Sequence, residues 1–527
     1  MRTSTTRELV DNVVQECHTQ FDKLPKHGKP AKRSNGQAEW TILAGIVMAT
    51  PVNDQQSTST STSGSTEESS QEDTIWEIEC ISLATGSKCL PQGKQSPRGD
   101  LLNDCHAEVL ARRGLNSDDL QQDNSPLFEL VKGRSQFHLY VSQAPCGDAT
   151  TASLALTQSD ESRNAFMAGR KTRSEPTAQE YTTASDQSMV ATPTTGSKRG
   201  RESEAPTELS ETGSPSTKLQ KQDIATITTI TTNNQAATAA PGLQEEQPGC
   251  DHILGFRRGR IDYDSVGVLR TKPGRVDSEP TLSMSCSDKI ARWNILGLNS
   301  ALVMPFLRKP MYLESIITRE LFDAGALERA LFRRIQDCWR TDHIANSCAE
   351  KASAACGSTH PHQISVYKSE IEFEFSREAV SKQSEQDNVA FPPVASASTS
   401  DPLVTEVLVN GCKAGASAKK QIQPKSRSRL CKVNMFESSI ALWKSLSPQP
   451  VLVQSMMTMS DARSPSEPGP ASITYHQWKG LDKDFIKAKQ KLFAGVFQNW
   501  IRGNASLEAF DKHGHTISES SSRRDEK

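Results

Sequence analysis

His106-Ala107-Glu108 and Pro145-Cys146-Gly147 constrain this chain most, because they are useful together only if the fold brings them to one point. The first motif supplies an imidazole and, two residues on, a carboxylate; the second supplies a thiolate. Imidazole and thiolate are donors that zinc accepts, and a carboxylate left off the metal suits a proton shuttle. A catalytic zinc site takes three protein ligands and keeps a fourth position open. A second cysteine close behind Cys146 would complete the set, but the position after Cys146-Gly147-Asp148 is Ala149. The third ligand must then come from a distant segment, and Ser285-Cys286-Ser287-Asp288-Lys289 is the best candidate.

The bulk of the chain sets limits on what surrounds such a site. Of 527 residues only 35% are hydrophobic and mean hydropathy is −0.56, which points to one core plus polar padding. A net charge of −2 excludes a uniformly basic coat but leaves room for a local basic face. The 12 cysteines are too sparse for a disulfide scaffold, and no apolar leader follows Met1-Arg2-Thr3. Reduced thiols in a soluble intracellular protein, cytoplasmic or nuclear, are expected. No apolar run is long enough to span a bilayer.

Glu39 to Met48 reads as an early buried strand, and Ile75 to Ile81 alternates as a half-buried strand should. Between them 53–73 is a Ser/Thr/Gln/Glu tract with nothing to bury, so the pair reads as a hairpin with an expanded tip. Glu108 to Arg113 looks like the first turns of a helix with His106 at its start. Phe137 to Val141 is a short strand, and Pro145 suits the first turn of a following helix. A helix N-terminus would lower the pKa of Cys146. Disordered inserts are expected at 53–73 and 157–250, a flexible polar insert at 381–426 and a disordered tail at 511–527; residues 1–510 form a single discontinuous domain.

An isolated His-x-Glu on a surface helix is usually just solvated, and an isolated cysteine such as Cys286 is usually buried and inert. Here the wider motifs carry more. Asn103-Asp104-Cys105-His106-Ala107-Glu108 with Arg112-Arg113, Leu139-Tyr140-Val141-Ser142 leading into Pro145-Cys146-Gly147-Asp148, and Met284 to Asn294 resemble, in order, the three zinc motifs of the adenosine-to-inosine RNA editases. Leu24 to Pro30 before Glu39-Trp40-Thr41, Leu269 to Arg275, and Trp500-Ile501-Arg502 resemble the tRNA-acting branch of that family. That branch edits the adenosine just 3′ of the tRNA-Ala anticodon.

The resemblance implies an α/β fold: a cytidine-deaminase-like core, a mixed β-sheet flanked by helices, expanded as in RNA adenosine editases. It implies that His106, Cys146 and Cys286 hold Zn²⁺, that Glu108 shuttles the proton, and that the reaction turns adenosine into inosine. Cys105, without partner spacing, reads as a structural neighbour. The implied partner is tRNA, with neither DNA nor a membrane. The family also encloses an inositol hexakisphosphate, and matching positions here are Asn103, Arg112, Arg113, Lys289, Arg292, Trp293, Lys432, Tyr475, Lys479, Lys489 and Trp500. Independently of the family, Phe485, Leu492, Phe493, Val496 and Trp500 form a helical apolar stripe with Lys489 on it. A lysine there either snorkels to solvent or needs an anion. Two positions depart from the duplex-RNA editases: Phe485 replaces a tyrosine and Ala301 a serine, each with loss of a hydroxyl.

Two rival readings remain at this point. One is a duplex-RNA editase catalytic domain. The editase pattern begins almost at residue 1, leaving no room for an RNA-binding module before it, and 274–278 lacks the family's Gly-Glu-Gly near the flipped base. The other is a non-catalytic protein with structural zinc and inositol phosphate, which would have no need of Glu108. Cytidine deaminases resemble the Pro-Cys-x-x-Cys pattern that is absent here. Arg257, Arg258 and Arg260 are candidates for tRNA phosphates, whereas the run Lys198-Arg199-Gly200-Arg201 reads as solvated charge.

Overall fold

The two strands expected on either side of 53–73 form and pair antiparallel: β2 (Leu43–Pro51) and β3 (Trp76–Thr85) run from Leu43↔Thr85 to Pro51↔Trp76, with a register shift between Ile46 and Val47. In this computed structural model the described residues are 2–3, 6–52, 75–118, 135–157, 256–259, 263, 265–272, 279–336, 361–383, 394–399, 404–416, 422–446 and 473–516. All belong to one unit, 1–185 with 248–527. The expected inserts at 53–73 and 157–250, apart from Thr157, lie outside the described residues, as do Lys198 to Arg201, Arg260 and the tail beyond Thr516.

One mixed sheet organises the rest. The strand β6 (Gln136–Gln143) pairs antiparallel with β2 and parallel with β9 (Leu313–Glu320), and β10 (Ser365–Lys368) extends it in parallel. On the other side of β3 stand β11 (Val394–Thr399), β12 (Val404–Val409) and β13 (Cys412–Lys413), giving the order β10-β9-β6-β2-β3-β11-β12-β13, while β1 (Arg2–Thr3) pairs with one end of β3. Both faces are covered, which explains why β2 reads as a nearly unbroken apolar run. On one face lies α1 (Thr6–Asp22), whose Val10, Val13, Val14, Cys17 and Phe21 recur at helical spacing and pack on Leu43, Val47, Cys80 and Tyr140. The other face holds α2 (Ala107–Asp118) and α4 (Cys286–Leu296), with α3 (Thr151–Thr157) between them in sequence. Its core runs from Ile46, Leu110 and Leu139 to Trp293, Phe436 and Trp478.

Two sequence expectations are corrected here. The tract 381–426 is not merely a flexible polar insert: it builds β11, β12 and β13. Its Ser/Ala/Thr composition looks like a loop, but Ala395 and Ala397 are buried in the core with Ala107, Leu110 and Ala111 of α2. A Cβ on Gly114 of α2 would sit 3.2 Å from Thr399, so only small residues fit between this helix and this strand. Residues 511–516, expected in a disordered tail, form a turn in which Asp511 accepts from the amides of His513 and His515, each at 2.9 Å, closed by a bridge between Phe510 and Thr516.

The other helices are α5 (Ala324–Glu328), which runs into a π-helical turn at Arg329–Arg333, α6 (Arg377–Gln383), α7 (Lys432–Ser445), α8 (Tyr475–Trp478) and α9 (Lys483–Ala494). The apolar residues read as a helical stripe do pack together, although the helix ends at Ala494 and Val496 and Trp500 lie beyond it: Leu492, Phe493, Val496 and Phe497 pack on Ala291 and Leu296 of α4 in a separate cluster. That contact fixes the far end of α4, whose first residue is Cys286. No helix among the described residues is long and apolar enough to cross a membrane.

Candidate functional site

His106 ends a short strand, β5 (Asp104–His106), paired with β4 (Ser87–Cys89). The chain then turns into α2, so Glu108 falls in the first turn of that helix. Cys146 follows β6 in a loop, and here the sequence reading needs correction: the helix after Pro145 begins only at Thr151. What places Cys146 is instead Gly147, at φ +106°, where a Cβ would lie 2.2 Å from Ser285 Oγ and 2.5 Å from Ser287 Oγ. Only glycine lets this loop close against the start of α4. Cys286 is the residue at a helix N-terminus, with Ser285 capping it by accepting from Asp288 N.

His106, Cys146 and Cys286 thereby converge, with their ligand atoms all within 4.8 Å of one another. His106 Nδ1 lies 3.8 Å from Cys146 Sγ and 3.6 Å from Cys286 Sγ. The Cys286 amide donates to Cys146 Sγ at 3.3 Å. The hydrogen bond from Cys286, then Lys272 and His106, push the Cys146 thiol down against the cost of burial. For Cys286, burial and then the neighbouring Cys146 raise the thiol, with Lys272 opposing. The pair therefore holds one thiolate readily and a second only when a cation joins it. One imidazole and two thiolates form a borderline-soft donor set that fits zinc. Glu108 is 1% exposed, and its Oε2 has no hydrogen-bond partner among the described residues. Burial raises its carboxyl above the usual range, against the pull of His106 and Lys272.

Two residues matter here that the sequence reading assigned no role. Lys272, fully buried, donates to Cys286 Sγ at 2.8 Å and pairs with Asp104 Oδ1 at 3.3 Å. Asp104 also pairs with Lys289 and accepts from the His106 amide at 3.1 Å. Burial alone would raise the Asp104 carboxyl, but Lys272 and Lys289 hold it far below the usual range. Both residues stood inside quoted motifs. The signal that could have found them is charge: a lysine and an aspartate in otherwise buried stretches need partners.

A second cluster gathers most of the remaining candidates. Arg112 stacks over Trp293, and Arg292 over Trp500, each at 4.9 Å. Lys479 and Lys432 lie 5.1 and 5.8 Å from the Tyr475 ring. Arg113 is held by the Leu430 carbonyl at 2.7 Å. Lys289 precedes Arg292 and Trp293 by one turn of α4 and, with its pair to Asp104, links this cluster to the metal ligands. Asn103, next to Asp104, engages Leu90 through its backbone carbonyl. Sequence reasoning missed Glu508, which takes Lys479 at 2.6 Å and Lys432 at 3.7 Å.

One carboxylate does not balance this many cations. Burial lowers Arg112, with Arg292 and Arg113 adding repulsion. Burial alone takes Arg292 to about 10. Lys432 falls to about 8 through burial despite Glu508, and Lys489 falls to about 8 through burial and then repulsion from Lys479 and Arg292. Arg112 Nε and Trp293 Nε1 are buried without a hydrogen-bond partner among the described residues. The cluster is a concentration of buried positive charge with open donors. Phe485 takes part through its ring, packed on the α4–α9 cluster. Arg257, in β7 (Phe256–Arg257), and Arg258 beside it are half-buried, with β7 paired to β8 (Leu269–Arg270).

Comparison with known proteins bears on this geometry. The family model of the adenosine-deaminase (editase) domain matches residues 82–117 and 120–504. The chain is 26% identical over 558 residues to tRNA-specific adenosine deaminase 1 of Homo sapiens, covering 95% of this chain and 99% of that protein. It is 27% identical over 521 residues to the Drosophila melanogaster protein of the same name, covering 96% and 98%. Against the double-stranded RNA-specific adenosine deaminase of Rattus norvegicus it is 28% identical over 307 residues, covering 55% of this chain and 20% of that protein.

Proposed function

This chain belongs to the adenosine-deaminase (editase) family of enzymes, and from that premise we propose that it converts adenosine to inosine in tRNA by zinc-dependent hydrolysis. The observation that carries the proposal is the meeting of His106, Cys146 and Cys286 within 4.8 Å, beside a buried Glu108 whose Oε2 is unpartnered among the described residues. Those three side chains would hold the metal, and zinc bound there supplies a polarised water whose pKa falls toward ~7.

The chain's own residues do the rest. Glu108 accepts a proton from water and returns it to the purine as water adds at C6. The amino group leaves as ammonia, and a carbonyl remains in its place. Lys272, donating to Cys286 Sγ, favours the thiolate form that a metal would take, and Asp104 fixes Lys272 while bonding the His106 amide. We place inositol hexakisphosphate in the cluster formed by Arg112, Arg113, Arg292, Trp293, Lys432, Tyr475, Lys479, Lys489 and Trp500, with Asn103 and Lys289 at its metal-facing side. The orphaned Arg112 Nε and Trp293 Nε1 support this placement.

For the substrate, near-complete coverage on both sides with proteins named for tRNA, against partial coverage of a duplex-RNA enzyme, favours tRNA. The proposed target is the adenosine 3′ of the anticodon in tRNA-Ala. Purified protein incubated with a tRNA-Ala transcript tests this by sequencing, where inosine reads as guanosine. Conversion confined to that adenosine is expected. Conversion of a perfect RNA duplex with tRNA untouched would overturn the substrate while leaving the chemistry in place.

A further inference from the structure

Away from both clusters a cavity of about 480 Å³ opens where three separated segments meet, and Arg98, Arg427, Glu437, Lys512, His513 and His515 line it. Its most telling member is Arg427, only 9% exposed. Of the other buried arginines, Arg334 meets Asp288 at 2.5 Å, whereas Arg270 donates to the carbonyls of Gly259 at 3.3 Å and Ser265 at 2.7 Å. Among the described residues Arg427 makes one side-chain hydrogen bond, from Nη1 to the His513 carbonyl at 3.3 Å. Its Nε is buried with no hydrogen-bond partner among the described residues.

The neighbouring acids do not neutralise it. Glu437 is an exposed lining residue and makes no ion pair with Arg427 or Lys512 among the described residues. Asp511 accepts from the His513 and His515 amides and lies 3.2 Å from His515 Nδ1. Arg427 and Lys512, with Arg98 beside them, bring positive charge to a concave space whose lining includes one carboxylate, Glu437. A buried guanidinium without a counter-ion is costly, and its planar fork matches phosphate oxygens.

We infer that this pocket binds a phosphate group, either free in solution or as part of an RNA backbone. The inference does not rest on the deaminase reading, since none of these residues belongs to either cluster described above. Phosphate oxygens would take the open donors of Arg427, with Lys512 and Arg98 supplying charge from the rim.

The test uses the full-length, zinc-loaded protein and inorganic phosphate, titrated by calorimetry at constant ionic strength with chloride as the balancing ion. Saturable binding is expected, weakened about tenfold or more by Lys512→Gln, which removes one charge-assisted contact. Arg427→Lys should weaken it as well, by keeping charge and losing the fork. Should the Arg427 variant misfold, Lys512→Gln and Arg98→Gln carry the test from half-buried positions. An RNA arm separates the sources: a raised KM with unchanged kcat for tRNA in Lys512→Gln assigns the site to the RNA backbone. Unchanged tRNA kinetics with weakened phosphate binding assigns it to a free phosphate ligand. No saturable phosphate binding by the wild type, or binding indifferent to Lys512→Gln and Arg98→Gln, overturns the inference.

Discussion

Around Cys286 a buried lysine and aspartate meet opposite charges within a few ångströms: Lys272 faces the sulfur at 2.8 Å and Asp104 at 3.3 Å, and Asp104 takes Lys289 as well. Around Arg292 the reverse holds. Arg112, Arg292, Lys432 and Lys489 are pushed toward neutrality by burial, and Glu508 alone answers several of them. The first region is a site prepared to receive a cation, because its thiols and carboxylates are arranged before the metal arrives. The second is a concentration of buried cations, where we propose that an anion from outside the chain binds.

If that contrast is right, substitutions in the two regions should fail differently. The largest effect belongs to the ligands: Cys286→Ala and Cys146→Ala should each lose zinc and all deamination, whereas Cys105→Ala should retain the metal. Metal analysis of the purified variants checks this, and stoichiometric zinc in Cys286→Ala would remove the distant ligand from the account. Next comes Lys272→Met, which leaves Asp104 less compensated and the Cys286 sulfur without its donor. Breaking a buried pair of this kind costs roughly 3–5 kcal/mol, so denaturant unfolding should shift by that order and a chelator should strip zinc faster.

Smaller effects separate the polyanion from a merely crowded cluster. With the anion bound, Lys489→Met should destabilise the protein by roughly 1 kcal/mol, an amount already discounted for the partial exposure of Lys489. In anion-free protein the same change should be neutral or stabilising, because it removes a repelled cation. A more stable variant, together with no phosphate in the purified wild type, would take the polyanion out of this account.

The smallest effect is in pH. Lys489 sits at about 8 in the folded chain and near 10.4 when unfolded. Between these values the unfolded state binds more protons, so stability rises with pH. The anion-free wild type should therefore gain on Lys489→Met between pH 8 and 10. A bound polyanion raises the folded pKa and should abolish the gain; thermal melts of both proteins across that range decide it.

How much of this was legible in the sequence follows the same division. His106, Glu108 and Cys146 stand in short motifs whose donor types carry their chemistry, and Cys286 was reachable once Ala149 left a ligand missing. The hairpin of β2 and β3 was legible from the apolar run of one strand, the alternation of the other and the polar tract between them. Lys272 and Asp104 were harder, since neither looks like a ligand and their pairing spans the distance between β5 and the segment after β8. Glu508 lay beyond the last quoted motif, and its role depends on a turn that brings it beneath Lys479. The sheet edge at β11–β13 was hidden by composition: alanine and serine read as a loop until the close approach of α2 explains their size. The helix expected at Pro145 was misplaced for a related reason, because what Cys146 requires is the left-handed Gly147 rather than a helix N-terminus.

The central claim is that Glu108 moves the proton while His106, Cys146 and Cys286 hold the metal. Glu108→Gln separates these roles, since the amide preserves size and removes the base. Zinc content and inosine formation on tRNA should be measured on one preparation of the variant. Stoichiometric zinc with deamination reduced by roughly 10²–10⁴-fold is predicted. Wild-type turnover in the zinc-loaded variant would contradict it.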